Sequence, residues 1–137
     1  VGFEYIDISG DAGVRASGDT LAEAFVNAAL GMYSLITDLD KVGEGKQLRT
    51  SAESHSQESL LVAWLNELVF QFDTYGFIGK KINIEELSDT KIVAVLSGED
   101  FDPERHEQRL LIKAATYHDL KIEKGDGKWQ IEVIFDI

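Results

Sequence analysis

The sequence predicts an α+β domain, a mixed, largely antiparallel sheet with two amphipathic helices on one face. Three observations carry that reading. Two segments, 20–37 and 56–75, repeat apolar residues at helical spacing, and nearly everything after Gly76 alternates with a period of two. The third is bulk: 137 residues with 44% hydrophobic and 28% charged side chains match an ordinary globular unit. No composition shift or low-complexity run divides the chain, so residues 1–137 are read as a single domain.

The first element, Phe3-Glu4-Tyr5-Ile6-Asp7-Ile8, is rich in aromatic and β-branched residues and reads as a strand. It ends at Ser9-Gly10-Asp11-Ala12-Gly13, a glycine-bearing loop, which precedes a short strand Val14-Arg15-Ala16-Ser17. Thr20 followed by Glu23 forms a capping box, and Leu21, Phe25, Ala28, Ala29, Met32 and Ile36 then mark one helix face. The polar stretch from Gly43 to Ser54 offers at best a weak edge strand at Gln47-Leu48-Arg49-Thr50, and is expected to be the most mobile region. Ser56 caps a second helix whose buried face is Leu60, Leu61, Trp64, Leu65, Leu68, Val69 and Phe72, and Gly76 stops it. Phe77–Leu87, Lys91–Ser97, Arg109–Thr116, Leu120–Lys124 and Trp129–Phe135 all read as strands, with Gly125-Asp126-Gly127 as a hairpin turn between the last two.

Twenty-five acidic against 13 basic side chains give a formal net charge of −12. Such a surface repels a phosphate backbone, so direct, general nucleic-acid binding is not expected. It suits metal ions, basic protein partners or simple solubility. The chain has no cysteine, which excludes a disulfide framework, a thiolate metal site and a cysteine nucleophile. No apolar run reaches membrane-spanning length and no signal segment opens the chain, so a cytoplasmic protein without membrane attachment is expected.

No P-loop, dinucleotide fingerprint, nucleophile elbow or metalloprotease histidine pair occurs. The three histidines, His55, His106 and His118, fall in three different predicted elements. The remaining candidates are carboxylates near the two ends. Asp7 and Asp11 flank the first turn, and Asp136 is the penultimate residue of a terminal strand. If the first and last strands are neighbours, hard oxygen ligands meet there, as Ca²⁺ or Mg²⁺ requires; otherwise these are solvated loop and terminus carboxylates. A second candidate is Thr116-Tyr117-His118 with Lys113 upstream, where His118 would exchange protons and Tyr117 orient it, or where both simply cap a strand. The Phe101-Asp102-Pro103-Glu104-Arg105-His106 segment, which holds the only proline, reads as a rigid surface loop that either connects strands or meets a partner. Trp64 and Trp129 are expected in the core.

Taken together, Tyr5-Ile6-Asp7-Ile8-Ser9-Gly10-Asp11-Ala12-Gly13, Gly18-Asp19-Thr20-Leu21-Ala22-Glu23-Ala24-Phe25, Trp64-Leu65-Asn66-Glu67-Leu68, Phe101 to His106, Lys113-Ala114-Ala115-Thr116-Tyr117-His118 and Val133-Ile134-Phe135-Asp136-Ile137 resemble the archease family. The motifs span nearly the whole chain in the family's order. The resemblance implies an accessory protein of the tRNA-splicing RNA ligase, which joins 3′-phosphate or cyclic phosphate ends to 5′-hydroxyl ends. It implies no catalysis by the small protein itself, which promotes guanylylation and multiple turnover of the ligase. It further implies a divalent-metal site, most often Ca²⁺, formed by Asp11, Asp136 and the main-chain carbonyl of Ile137. One motif departs from the family pattern, which usually reads Asp-His-Thr-Ala-Asp: here Ile8 replaces the histidine, and it can neither ligate metal nor transfer a proton. A chaperone-like binding module for RNA-processing proteins, without metal chemistry, is the competing function.

Overall fold

Local chemistry sets where both helices begin and end. Thr20 accepts the Glu23 N–H at 3.1 Å and starts α1 (Leu21–Ile36). Ser56 and Ser59 cap each other reciprocally and start α2 (Gln57–Tyr75). That helix ends at Gly76, whose φ of 77° is a left-handed conformation that costs glycine little.

The computed structural model describes residues 2–8 and 10–137, with the Ile8 side chain left aside. Around the helices run β1 (Phe3–Ile8), β2 (Asp11–Gly18), β3 (Lys46–Glu53), β4 (Phe77–Leu87), β5 (Lys91–Asp100), β6 (Ala114–Ala115), β7 (Lys121–Gly125) and β8 (Lys128–Asp136). They form two sheets, and every described pairing is antiparallel. The larger has the order β1-β2-β8-β6, with β7 also paired to β8; the smaller has the order β3-β5-β4. The α+β class holds, with the predicted strands shared between two sheets.

Each helix touches both sheets: α1 meets β1, β2 and β8 as well as β4, and α2 meets β3, β4 and β5 as well as β6 and β7. Ala12, Val14 and Ala16 of β2 join Ile131, Val133 and Phe135 of β8 in one core with Phe25, Met32, Leu61, Trp64 and Leu68 of the helices. Trp64 is fully buried and donates its indole N–H to the Phe25 carbonyl at 3.3 Å, so its polar atom is satisfied. Trp129 is only half-buried, with the Lys124 ammonium 5.7 Å from its ring centre. Gly31 lies inside α1 because the helix meets the sheet closely there: a Cβ would sit 2.6 Å from Val14.

Three segments differ from the sequence expectation. The predicted loop before Val14 is largely strand, since Asp11 pairs with Ile8 and Gly10 alone of its described residues carries a positive φ, 81°; Ser9 lies outside the described residues. The supposedly mobile stretch contains β3, eight residues long, because Leu48, Thr50 and Ala52 are half-buried on the α2 side and the whole strand is paired with β5. The predicted strand Arg109–Thr116 shrinks to Ala114–Ala115. Its first residues have other obligations: Arg109 and Leu110 donate their N–H groups to the Ile36 and Leu35 carbonyls, both at 3.0 Å. They satisfy carbonyls that the end of α1 leaves open, and the Arg109 guanidinium reaches the Ser34 carbonyl at 3.0 Å, complementing the negative end of the helix.

Candidate functional site

Antiparallel register decides which acids meet. The last pair of the β2–β8 ladder is Ala12 with Phe135, so Asp11 and Asp136 each lie one residue beyond it, at the same end of neighbouring strands. Alternation puts both on the outer face of the larger sheet, with Gly13 and Ile134, while Ala12 and Phe135 face the helices. Directly opposed residues on neighbouring strands hold their Cβ atoms roughly 4.5–5.5 Å apart, and like charges there are destabilising. No ion pair or hydrogen bond among the described residues engages either carboxylate. Two rows along the same face, by contrast, Arg15 is gripped between Glu4 at 2.6 Å and Glu132 at 2.9 Å.

The neighbouring chain fixes this end of the sheet. Ala114 pairs with Asp136, and Lys113 donates its N–H to the Asp136 carbonyl at 2.8 Å. A strand of two residues holds little by itself; Asn66 of α2 supplies what a further strand would. Its Oδ1 accepts the Ala115 N–H at 2.7 Å and its Nδ2 donates to the Ala115 carbonyl at 3.4 Å. A depression of about 380 Å³ lined by Ile6, Asp119, Lys121, Glu132 and Ile134 adjoins the acidic row.

The other candidates separate. Asp7 pairs with Ala12 and so lies on the opposite face from Asp11, which removes it from any shared ligand set. Tyr117 is exposed, and His118 is exposed with Nε2 3.4 Å from Asp119, a turn contact rather than a catalytic constellation. Among the described residues no group of three or more histidine, cysteine, aspartate or glutamate side chains surrounds a common point. The available donors are therefore two carboxylates plus backbone carbonyls. That all-oxygen set is the kind hard cations take.

One cluster escaped sequence reading. His106 is buried, and its Nδ1 accepts the Asp102 N–H at 2.8 Å, so its proton sits on Nε2, 3.3 Å from Glu99. Glu99 also accepts from the Gly43 N–H and the Arg105 guanidinium. The Gly43 N–H first, then Arg105 and His106, hold the Glu99 carboxyl below the usual glutamate range. The 101–106 segment is thus a clamped turn with His106 packed against Phe101, their ring centres 5.6 Å apart. Tyr33 was also missed as a polar group: burial pushes its pKa up, and its hydroxyl lies near the Gly79 backbone without an aligned partner among the described residues.

The model of the Archease protein family (MTH1598/TM1083) matches residues 3–137. The archease of Methanosarcina mazei is 37% identical over 98% of this chain and 95% of its own length, and that of Pyrococcus furiosus is 37% identical over 98% of both. The solution structure of Methanobacterium thermoautotrophicum protein 1598 superposes with a TM-score of 0.84 at 38% identity, over 99% of each chain. An archease of Thermotoga maritima, described as a possible chaperone, shares the fold with a TM-score of 0.62 at 17% identity, over 96% of this chain and 94% of that one. With its motifs in family order and both likenesses running end to end, this chain belongs to the archease family.

Proposed function

We propose that the chain is a protein cofactor of the tRNA-splicing RNA ligase, promoting guanylylation and repeated turnover of that enzyme without catalysing the joining reaction itself. In this reading Asp11, Asp136 and the Ile137 main-chain carbonyl hold a divalent cation, Ca²⁺ in the first instance. The observation that supports it is the placement of Asp11 and Asp136 one residue beyond the last β2–β8 pair, two like charges at one end of neighbouring strands with no ion pair to either among the described residues. So few protein donors leave most coordination positions to water or to oxygens of a partner, which suits the positioning of a nucleotide phosphate. The chain's own part is to align the two carboxylates through the β2–β8 register and to hold the Asp136 end through β6 and Asn66.

Guanylylation of the cognate ligase, measured with the parent chain, Asp11→Ala and Asp136→Ala, tests this. Both variants should lose most of the stimulation, and a chelator should abolish it for the parent. Variants as active as the parent would sink the metal mechanism.

A chaperone-like binding module is the second reading, supported by the exposed apolar side chains Phe70, Tyr75, Leu111 and Tyr117. It predicts stimulation that ignores chelators and both aspartate substitutions, and that falls with salt where the acidic surface, at a net charge of −12, carries the contact.

A further inference from the structure

The two helices end differently. At the end of α1, Arg109 and Leu110 donate their N–H groups to the Ile36 and Leu35 carbonyls, and the Arg109 guanidinium reaches the Ser34 carbonyl at 3.0 Å. A cation thus meets the negative end of that helix. The last turn of α2 holds no basic residue, and the Gly76 N–H closes it onto the Gln71 and Phe72 carbonyls. It holds an acid instead. Asp73 is exposed there, in no ion pair among the described residues, and its charge adds to the helix dipole rather than opposing it.

Two aromatic rings are exposed beside that acid. Phe70 is 51% and Tyr75 63% exposed, and they stand edge to face with ring centres 6.3 Å apart. Asp73 follows Phe70 by three residues, so the two are neighbours on the helix surface. The turn after β5 brings further acid to this end. Phe101 donates its N–H to the Gly76 carbonyl at 2.7 Å and sets its ring against Phe72, centres 5.8 Å apart. Asp102 and Glu104 follow directly, and the Arg105 guanidinium of that turn is held by Glu99 and Asp102. Glu104 is exposed, in no ion pair among the described residues.

We propose that the end of α2 docks a basic, apolar segment of a protein partner, with an arginine or lysine side chain laid against the Phe70–Tyr75 pair and its charge directed at Asp73 and the helix end. Three features fix that chemistry. Aromatic faces attract both a cation and its apolar stem, a helix C-terminus without its own base favours positive charge, and Asp73 and Glu104 carry the complementary sign. The same acids disfavour the alternatives. A second copy would bring them against themselves about a two-fold axis, and a phosphate backbone would meet like charge. The contact needs neither Asp11 nor Asp136, so it is independent of the metal reading.

An amide titration of the chain with three blocked pentapeptides tests this. One alternates leucine and arginine, the second has glutamine in place of arginine, and the third has serine in place of leucine. The leucine–arginine peptide should give saturable shifts centred on Phe70, Asp73, Tyr75 and Gly76, and each control should bind about fivefold or more weakly. Phe70→Ala and Tyr75→Ala should each weaken binding about fivefold and Asp73→Asn about threefold, with circular dichroism confirming that each variant folds. Salt should weaken binding and a chelator should leave it unchanged. Shifts spread over the whole acidic surface, equal binding of the glutamine peptide, or an affinity untouched by the aromatic substitutions would overturn the proposal. So would the same shifts appearing on raising protein concentration without peptide, which would mark a second copy as the occupant.

Discussion

Two acidic regions of this chain look alike in sequence and differ in physics. Glu99 is surrounded by donors from its own chain: the Gly43 N–H, the Arg105 guanidinium and the His106 imidazole. Asp11 and Asp136 lie together at the end of the β2–β8 ladder, and among the described residues no ion pair engages either. A carboxylate whose charge is met internally staples the fold, and here Glu99 ties Gly43, between α1 and β3, to the clamped turn that follows β5. Two carboxylates whose charges are unmet raise the energy of the free protein, and in the proposed reading a bound cation would recover that energy. Burial does not draw this contrast, since none of the three residues is buried.

Several substitutions would break or sharpen this contrast. The largest expected effect is on cation affinity: Asp11→Ala or Asp136→Ala should lower Ca²⁺ affinity by about a hundredfold or more, read by calorimetric titration, whereas Glu99→Gln should leave it unchanged. Next comes the support of the Asp136 end. Asn66→Ala removes the partner of both backbone groups of Ala115 and should cost about 2 kcal/mol in urea unfolding.

The two acidic regions should then respond to neutralisation with opposite signs. Without metal, Asp136→Asn removes a like-charge contact and should stabilise the chain by about 0.5 kcal/mol. Glu99→Gln should lower the melting temperature. The sign with pH follows from linkage: a carboxyl held below its usual range contributes stability above its unfolded pKa and loses it as pH falls through the folded value. The parent should therefore lose the Glu99 contribution in acid, below about pH 4, and Glu99→Gln should flatten that limb of the stability profile. The smallest effect is expected at Tyr33, where Tyr33→Phe removes a buried hydroxyl without an aligned partner and should be neutral to stabilising by on the order of 1 kcal/mol in thermal melts.

Much of the fold is legible in the residues because the signals are local. Thr20, Ser56 and Gly76 mark three helix ends, and the alternation after Gly76 marks β4, β5, β7 and β8. What escaped depends on distant partners. β3 looks polar because only alternate residues are half-buried, and the strand β5 that pairs with it lies beyond α2. Arg109 to Lys113 has strand-like composition, but the end of α1 takes the first of its backbone donors. The same division holds at the site. Asp11 and Asp136 stand out as acids in the sequence, yet only the strand registers show that they lie at the same end of neighbouring strands and that Asp7 is on the other face. Asn66 and Glu99 carry no sequence signature of their roles, since their partners lie far along the chain.

The account turns on the carboxylate pair, and the most direct measurement is a Ca²⁺ titration followed by the backbone amide resonances of the isolated chain. It predicts saturable shifts centred on Asp11, Asp136 and Ile137, absent in Asp136→Ala, with the amides around Glu99 unmoved. No saturable shifts, or shifts centred on Glu99 and the 101–106 turn, would contradict it.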